Sequence, residues 1–400
     1  MAVPAAIGVD PEQFLAVVAT AAVAGTLSAV LAGRSVLVPT VVVELLLGVL
    51  IGPQVLGLEA SEFLEFFADL GLGMLFFFAG YEIDLRRIAG MPLRLAAIGW
   101  AISLALAYAI GGVLAAAGIV LSLLYTGSAL ATTAIGTLIP ILSDSGQLRT
   151  RLGTYLLAAG AVGEFGPILL ITLILSTQST VHNGLILTGF VVLAVAVAVL
   201  AVRSSERTMP VFEQTLEKSS QLAVRWIVVL VFALALLASE LGLDLLLGGF
   251  AAGLITRQVL KEREVPGFDS KLTAVAFGVF IPFFFVVSGM RLDVEALFSS
   301  ASSIAKMFVF FALFLVVRGT PALLLYRTVL DRRERLALAC FSATQLPLVL
   351  AITTLATETG NMRGSTAAAL VGAAVLSTLV FPILGLRLSR SAPAVAGDPA

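Results

Sequence analysis

The chain reads as an all-α polytopic membrane protein, with about thirteen transmembrane helices arranged as two inverted repeats. Three observations carry that reading. Charged residues make up only 12% of the 400 and apolar residues 59%, with mean hydropathy +1.07. A soluble chain carries about a quarter charged residues, because a folded surface must be wetted. The apolar residues run continuously for helix-spanning lengths instead of alternating, which favours helices over a barrel. The basic residues fall in alternate loops, as spanning topology requires. Composition also closes other classes. One Cys (Cys340) and the lack of low-complexity tracts exclude a disulfide scaffold and disorder. A net charge of −1 argues against nucleic acid as a partner. One His and one Cys leave little for a transition-metal or haem site, so no cofactor is expected. No HExxH, nucleophile elbow or Walker loop is present, so an enzyme is not expected.

The spans follow from charged and Pro/Gly breaks. The first, 14–31, comes after Asp10 and Glu12 and lacks a signal peptide's basic flank, so it is expected to be retained. The second, 36–52, holds Glu44, and the third, 63–80, stops before Glu82 and Asp84. The fourth, 93–115, follows Arg86 and Arg87. The fifth, 119–142, is interrupted by Thr132, Thr133, Gly136 and Pro140. The sixth, 153–176, holds Glu164 among Gly160, Gly163, Gly166 and Pro167. The seventh, 184–202, links the halves. The eighth is 221–239, the short ninth 242–256 and the tenth 272–289. The eleventh, 302–326, holds Arg318. The twelfth, 335–356, carries Ser342, Thr344, Gln345 and Pro347, and 364–388 is the thirteenth.

With the N-terminus outside, 20 of the 24 basic residues fall in inner loops. Only Arg291 and Arg363 lie in outer ones, Lys306 snorkels near a helix end and Arg318 is inside a span. The C-terminus is then cytoplasmic, in the cell membrane, and no soluble regulatory domain is expected after the last span. His182 reads as a solvated outer-loop residue.

Two stretches recur. Glu44-Leu-Leu-Leu-Gly48 matches Asp244-Leu-Leu-Leu-Gly248 at an offset of 200, and 75–85 resembles 283–294 at about 209. The loop charges give the paired segments opposite directions. The repeats are therefore inverted, about 14–176 and 221–388 around the seventh span, within one membrane domain of residues 1–400. Inverted repeats are an architecture of secondary transporters, with the site near the midplane at broken helices. The fifth and twelfth spans correspond, and both carry mid-span hydroxyls and a proline. They are expected to be a crossed pair of broken helices, against ordinary Ser/Thr packing.

Glu164 sits at the centre of its span. A charge at that depth costs roughly 3 kcal/mol on insertion scales. A carboxyl group there is suited to exchange a proton and a cation, against a static neutralised role. Arg318 keeps its proton and needs a charge partner. Glu164 is the first choice, with Glu44 and Asp244 as rivals. Glu44 and Asp244 otherwise line an ion path or play structural roles.

The chain resembles bacterial monovalent cation:proton antiporters of the cation/proton antiporter-2 type, in the sodium/hydrogen exchanger superfamily. The resemblance covers nearly the whole membrane region. It rests on PTVVVELLLGVLIGPQVLG (39–57), FFFAGYEID (76–84) and PFFFVVSGMRLD (282–293). It implies a homodimer, each protomer with a dimerisation domain and a six-helix core that moves as an elevator. It puts the ion-binding acid at Glu164, the mid-membrane base at Arg318 and the crossing polar positions at Thr132 and Thr133. Two departures stand out. Relatives with an Asp-Asp pair are electrogenic, and the pair position here reads Gly163-Glu164, which suggests one-for-one exchange. The acid many relatives place in the twelfth span is here Gln345.

The expected mechanism has Glu164 alternately binding a proton and Na⁺ or K⁺. Thr132, Thr133 and backbone carbonyls complete an oxygen shell suited to hard cations. Arg318 holds Glu164 in the empty state. A sodium-coupled organic-anion symporter, with Arg318 on the anion, and a non-transporting sensor or channel-like subunit are the alternatives.

Overall fold

The computed structural model describes residues 10–34, 38–174, 180–216, 218, 220–243, 245–260, 267–298 and 300–389. Among them are ten helices long and apolar enough to cross a membrane and three shorter apolar ones. No strand occurs among the described residues. The thirteen apolar stretches coincide with the thirteen spans read from the sequence. The seventh differs most in length. Its helix, Thr180–Leu216, runs past Arg203, because helix formers continue where the apolar run stops. Large apolar side chains such as Leu185, Val192 and Leu236 are well exposed along their helices. Such a surface suits lipid.

The chain divides into two compact units, Met1–Asp84 with Ile168–Leu292, and Leu85–Pro167 with Asp293–Ala400. Each unit takes spans from both repeats. The first holds spans one to three and seven to ten. The second holds spans four and five, the sixth as far as Pro167, and eleven to thirteen.

In the first unit the second span, Thr40–Ile51, packs on the tenth, and the third, Glu62–Tyr81, packs on the ninth, Leu245–Leu260. These two pairs are images of each other under the repeat, and their glycines set the register. A Cβ on Gly48 would strike the Val286 carbonyl, and one on Gly253 would strike that of Phe77. A Cβ on Gly289 would strike the Leu45 carbonyl, and one on Gly80 that of Phe250. Small residues at such positions let helix backbones approach closely. These contacts relate the third and tenth spans by 209 residues, as the sequence indicates. They relate the second and ninth by 205, from Leu45 to Phe250 and Gly48 to Gly253. The Leu-Leu-Leu match at 200 is therefore out of register, and Glu44 corresponds to Gly249 rather than to Asp244. Asp244 itself lies outside the described residues. The tenth span contains a wide turn, Ala276–Phe280, just before Pro282. Proline cannot donate a helical hydrogen bond, and such a turn absorbs the mismatch.

In the second unit, the fifth span breaks between Leu123–Leu130 and Ile135–Asp144, and the twelfth between Arg332–Ser342 and Pro347–Glu358. The two breaks have the same pattern, one turn residue and then three non-helical residues, at an offset of 212. The expected crossed pair is present. Leu138, Leu156, Leu338 and Phe341 pack in an apolar core beside it, each fully buried. That packing holds the unwound segments in place.

Candidate functional site

The breaks leave backbone groups that a helix would have paired, and several of them find partners across the crossing or on a neighbouring span. The Ala134 amide donates to the Thr344 carbonyl at 2.9 Å. The Thr133 amide donates to the Gly163 carbonyl at 3.1 Å, which ties the first break to the sixth span. The Thr133 hydroxyl donates to the Ser342 carbonyl at 2.6 Å. Thr132 Oγ1 donates to Gln345 Oε1 at 2.7 Å, and Gln345 Nε2 donates back to the Leu130 carbonyl at 3.3 Å. From the thirteenth span, Ser377 accepts from the Gln345 amide at 3.0 Å, and Thr378 donates to the Gln345 carbonyl at 3.0 Å. Thr344 turns its hydroxyl to the Cys340 carbonyl at 3.3 Å. The hydroxyls of Thr132, Thr133 and Thr344 and the Gln345 side chain are thus all hydrogen-bonded.

Glu164 stands beside it on the sixth span and is 4% exposed. Its carboxylate accepts a hydrogen bond from the Ile135 amide, the first residue of the helix after the first break. A helix N-terminus carries unpaired donors and a partial positive charge, both suited to a carboxylate. Gly160 allows the approach, since a Cβ there would meet the Ile135 side chain at 2.7 Å. The second oxygen, Oε2, is buried and has no hydrogen-bond partner. A buried carboxylate oxygen without a partner is costly.

Arg318 is equally buried, at 4% exposed. The expected ion pair with Glu164 does not form. Instead Nε donates to Thr133 Oγ1 at 2.9 Å, Nη1 to Ser103 Oγ at 3.3 Å and Nη2 to the Ala159 carbonyl at 3.2 Å. The physical reason is reach. The Thr133 hydroxyl and the sixth-span backbone lie closer to the guanidinium than the carboxylate does, and they take its hydrogen bonds. The guanidinium fills the space beside Gly163, where a Cβ would collide with Nη2 and lie 2.9 Å from Thr133 Oγ1. The residue before Glu164 thus has no room for a side chain. Glu44, also 4% exposed, belongs to the other unit, and among the described residues no ion pair or hydrogen bond engages its carboxylate.

The structure therefore gathers Thr132, Thr133, Glu164, Arg318, Ser342, Thr344 and Gln345 in one unit. Sequence reasoning missed two side chains there. Ser103 also donates to the Val317 carbonyl at 2.9 Å, holding the eleventh span. Trp100 donates from Nε1 to the Ala131 carbonyl at the first break, at 3.2 Å, and its ring fills the space beside Gly166. The only signal was their spacing, three residues apart on one helix face. The Ala159 carbonyl has no sequence signal at all.

Comparison with known proteins follows the same lines. The model of the family "Sodium/hydrogen exchanger, transmembrane" matches residues 18–386. "Probable Na(+)/H(+) antiporter 3" of Methanocaldococcus jannaschii is 28% identical over 66% of this chain and 68% of its own length. "Putative Na(+)/H(+) antiporter YjbQ" of Bacillus subtilis is 25% identical over 88% of this chain and 59% of its own. "Na(+)/H(+)-K(+) antiporter GerN" of Bacillus cereus is 26% identical over 65% and 67%. The solved structure of the sodium proton antiporter MjNhaP1 from Methanocaldococcus jannaschii superposes with a TM-score of 0.66. It covers 94% of this chain and 97% of that one at 16% identity, a likeness of fold. Neither the symporter nor the sensor reading finds support in these comparisons. The family model spans almost the entire described chain, and the protein belongs to the sodium/hydrogen exchanger transmembrane family.

Proposed function

We propose that the chain exchanges protons for monovalent cations, Na⁺ or K⁺, by alternating access of Glu164 to the two sides of a membrane. The single observation that carries this reading is Glu164 Oε2, a buried carboxylate oxygen without a partner. A proton and a cation compete for that oxygen, and the competition couples the two fluxes with no further device. Family membership and the names of the relatives support the exchange. The crossing hydroxyls of Thr132 and Thr133 have spent their protons on carbonyl oxygens. Their lone pairs, with backbone carbonyls of the break, are oxygen ligands of the kind hard cations take.

The exchange is one-for-one and electroneutral in this proposal. Glu164 supplies one negative charge, and the Arg318 guanidinium stands where a second acid would project from residue 163. Arg318 acts as a fixed positive charge beside the carboxylate. With Thr133 and Ser103 it holds the break to the eleventh span. The orientation has the N-terminus outside and the C-terminus cytoplasmic in the cell membrane, supported by the loop charges. The assembly is a homodimer, supported by the resemblance alone. Glu164→Gln in proteoliposomes tests the site. Cation-driven proton movement is expected to fall to the background of empty vesicles, with the thermal transition in detergent unchanged. Exchange retained in that variant would remove Glu164 from the mechanism.

A further inference from the structure

The two units differ in the charge at the end that carries the inner loops. In the first unit, residues 34–38, 82–84, 203–225 and 257–271 hold nine basic and eight acidic residues. In the second, residues 85–94, 143–152, 327–335 and 387–389 hold ten basic and three acidic ones, and every base is an arginine. Membrane topology selects bases for inner loops and is nearly indifferent to acids. It accounts for the arginines of both units and not for the scarcity of acids in the second. The structure sets those arginines around one rim. Leu95, Leu148, Leu152, Tyr326 and Leu386 pack in a single apolar core. Their sequence neighbours Arg94, Arg149, Arg151, Arg327 and Arg387 are all exposed. Arg327 Nε and Arg335 Nη1 donate to the same Leu323 carbonyl, at 3.4 and 2.9 Å, so two like charges share one neutral acceptor. Two of the three acids are turned to backbone: Asp331 accepts from the Glu334 amide at 2.7 Å and Glu334 from the Asp331 amide at 2.9 Å. The rim also borders a surface suited to lipid. Leu93 beside Arg94, Leu324 one turn before Arg327 and Leu384 one turn before Arg387 are all exposed.

We infer that this rim binds the headgroups of anionic phospholipids. A guanidinium meets a phosphate with two parallel hydrogen bonds. Basic groups at span ends lie at headgroup depth, where each is worth about fivefold in affinity for an anionic surface. A soluble polyanion would need the guanidiniums to stand clear of the bilayer, and here exposed leucines lie within a turn of them. The inference concerns the second unit alone and is tested without transport, so it stands apart from the exchange reading.

Arg94, Arg149, Arg151 and Arg332 are exposed and make no hydrogen bond or ion pair among the described residues, so replacing all four with Gln spares the fold. The comparison variant replaces Arg34, Arg203, Lys218 and Arg225 of the first unit, also exposed, with Gln. Native mass spectrometry of the full chain counts the phosphatidylglycerol retained from mixed micelles, with phosphatidylcholine and inorganic phosphate as the other arms. Saturable retention of phosphatidylglycerol over phosphatidylcholine is expected for the unaltered chain and for the first-unit variant. The second-unit variant should need more phosphatidylglycerol for half-saturation, by about fivefold for each charge removed. If that variant fails to fold, Arg149→Gln with Arg151→Gln decides by the same measure. Equal losses in the two variants would overturn the assignment, as would unchanged retention in the second-unit variant. Displacement of the lipid by inorganic phosphate would overturn it too, by pointing to a free anion.

Discussion

The two breaks at the crossing share a backbone and differ in chemistry. Each has one turn residue and three unwound ones, and each is held from a neighbouring span of its own repeat. The first break meets the sixth span, where Glu164 sits under the Ile135 amide with one oxygen unpaired. The second meets the thirteenth span, where Ser377 and Thr378 close every bond on the Gln345 backbone. Pseudo-symmetry supplies the scaffold twice, and the chain places a titratable group on one copy only. Through Gln345, the second break is bonded to Thr132 and the Leu130 carbonyl of the first. That division of labour fits a carrier with a single ion-exchanging carboxylate.

The division is tested by damaging each side in turn. Loss of the carboxylate at Glu164 has the largest expected effect, complete loss of exchange without loss of fold. Gly163→Ala comes next, because its Cβ displaces the Arg318 guanidinium from Thr133. Overpacking of this kind costs about 1–3 kcal/mol. Exchange in the variant should fall by more than the folded fraction does, as read by proton flux against thermal unfolding in detergent. Gln345→Leu at the second break strands the Leu130 carbonyl and leaves Thr132 with only the Ala129 carbonyl. A buried group left unpaired costs about 1–3 kcal/mol. Here stability and exchange should fall together, and a double-mutant cycle with Thr132→Val should show coupling. A Gln345→Leu protein of normal stability and lost exchange would move the working site to the second break. Ser377→Ala is milder, because it strands the Gln345 amide alone while Thr378 still holds the carbonyl, and its cost falls at the low end of about 1–3 kcal/mol. Asp84→Asn is the smallest. Its ion pair with Arg257 at 3.6 Å is more than a third exposed, and such pairs are worth less than about 1 kcal/mol.

Much of this was legible in the sequence, for identifiable reasons. The spans follow from hydropathy. The crossing follows from paired polar clusters with proline at corresponding places. Glu164 and Arg318 stand out because charge at depth is expensive. Their relation to each other was not legible. Arg318 finds a serine, a threonine and a backbone carbonyl, and a carbonyl has no residue letter. The register of the second and ninth spans was misread because Leu-Leu-Leu recurs easily in apolar helices. The informative positions were Gly48 and Gly253, where backbones touch. Gly163 read only as a missing acid, and the structure shows its space filled by a guanidinium.

The most direct test of the central claim is the charge moved per cycle. Dye-reported proton flux in proteoliposomes, driven by Na⁺, K⁺ or Li⁺ in turn, is compared with the membrane potential clamped at zero and at a set negative value. One carboxylate shared by one proton and one monovalent cation predicts rates independent of the potential, and no flux in Glu164→Gln under either clamp. A rate that follows the potential, or flux that survives the substitution, would contradict it.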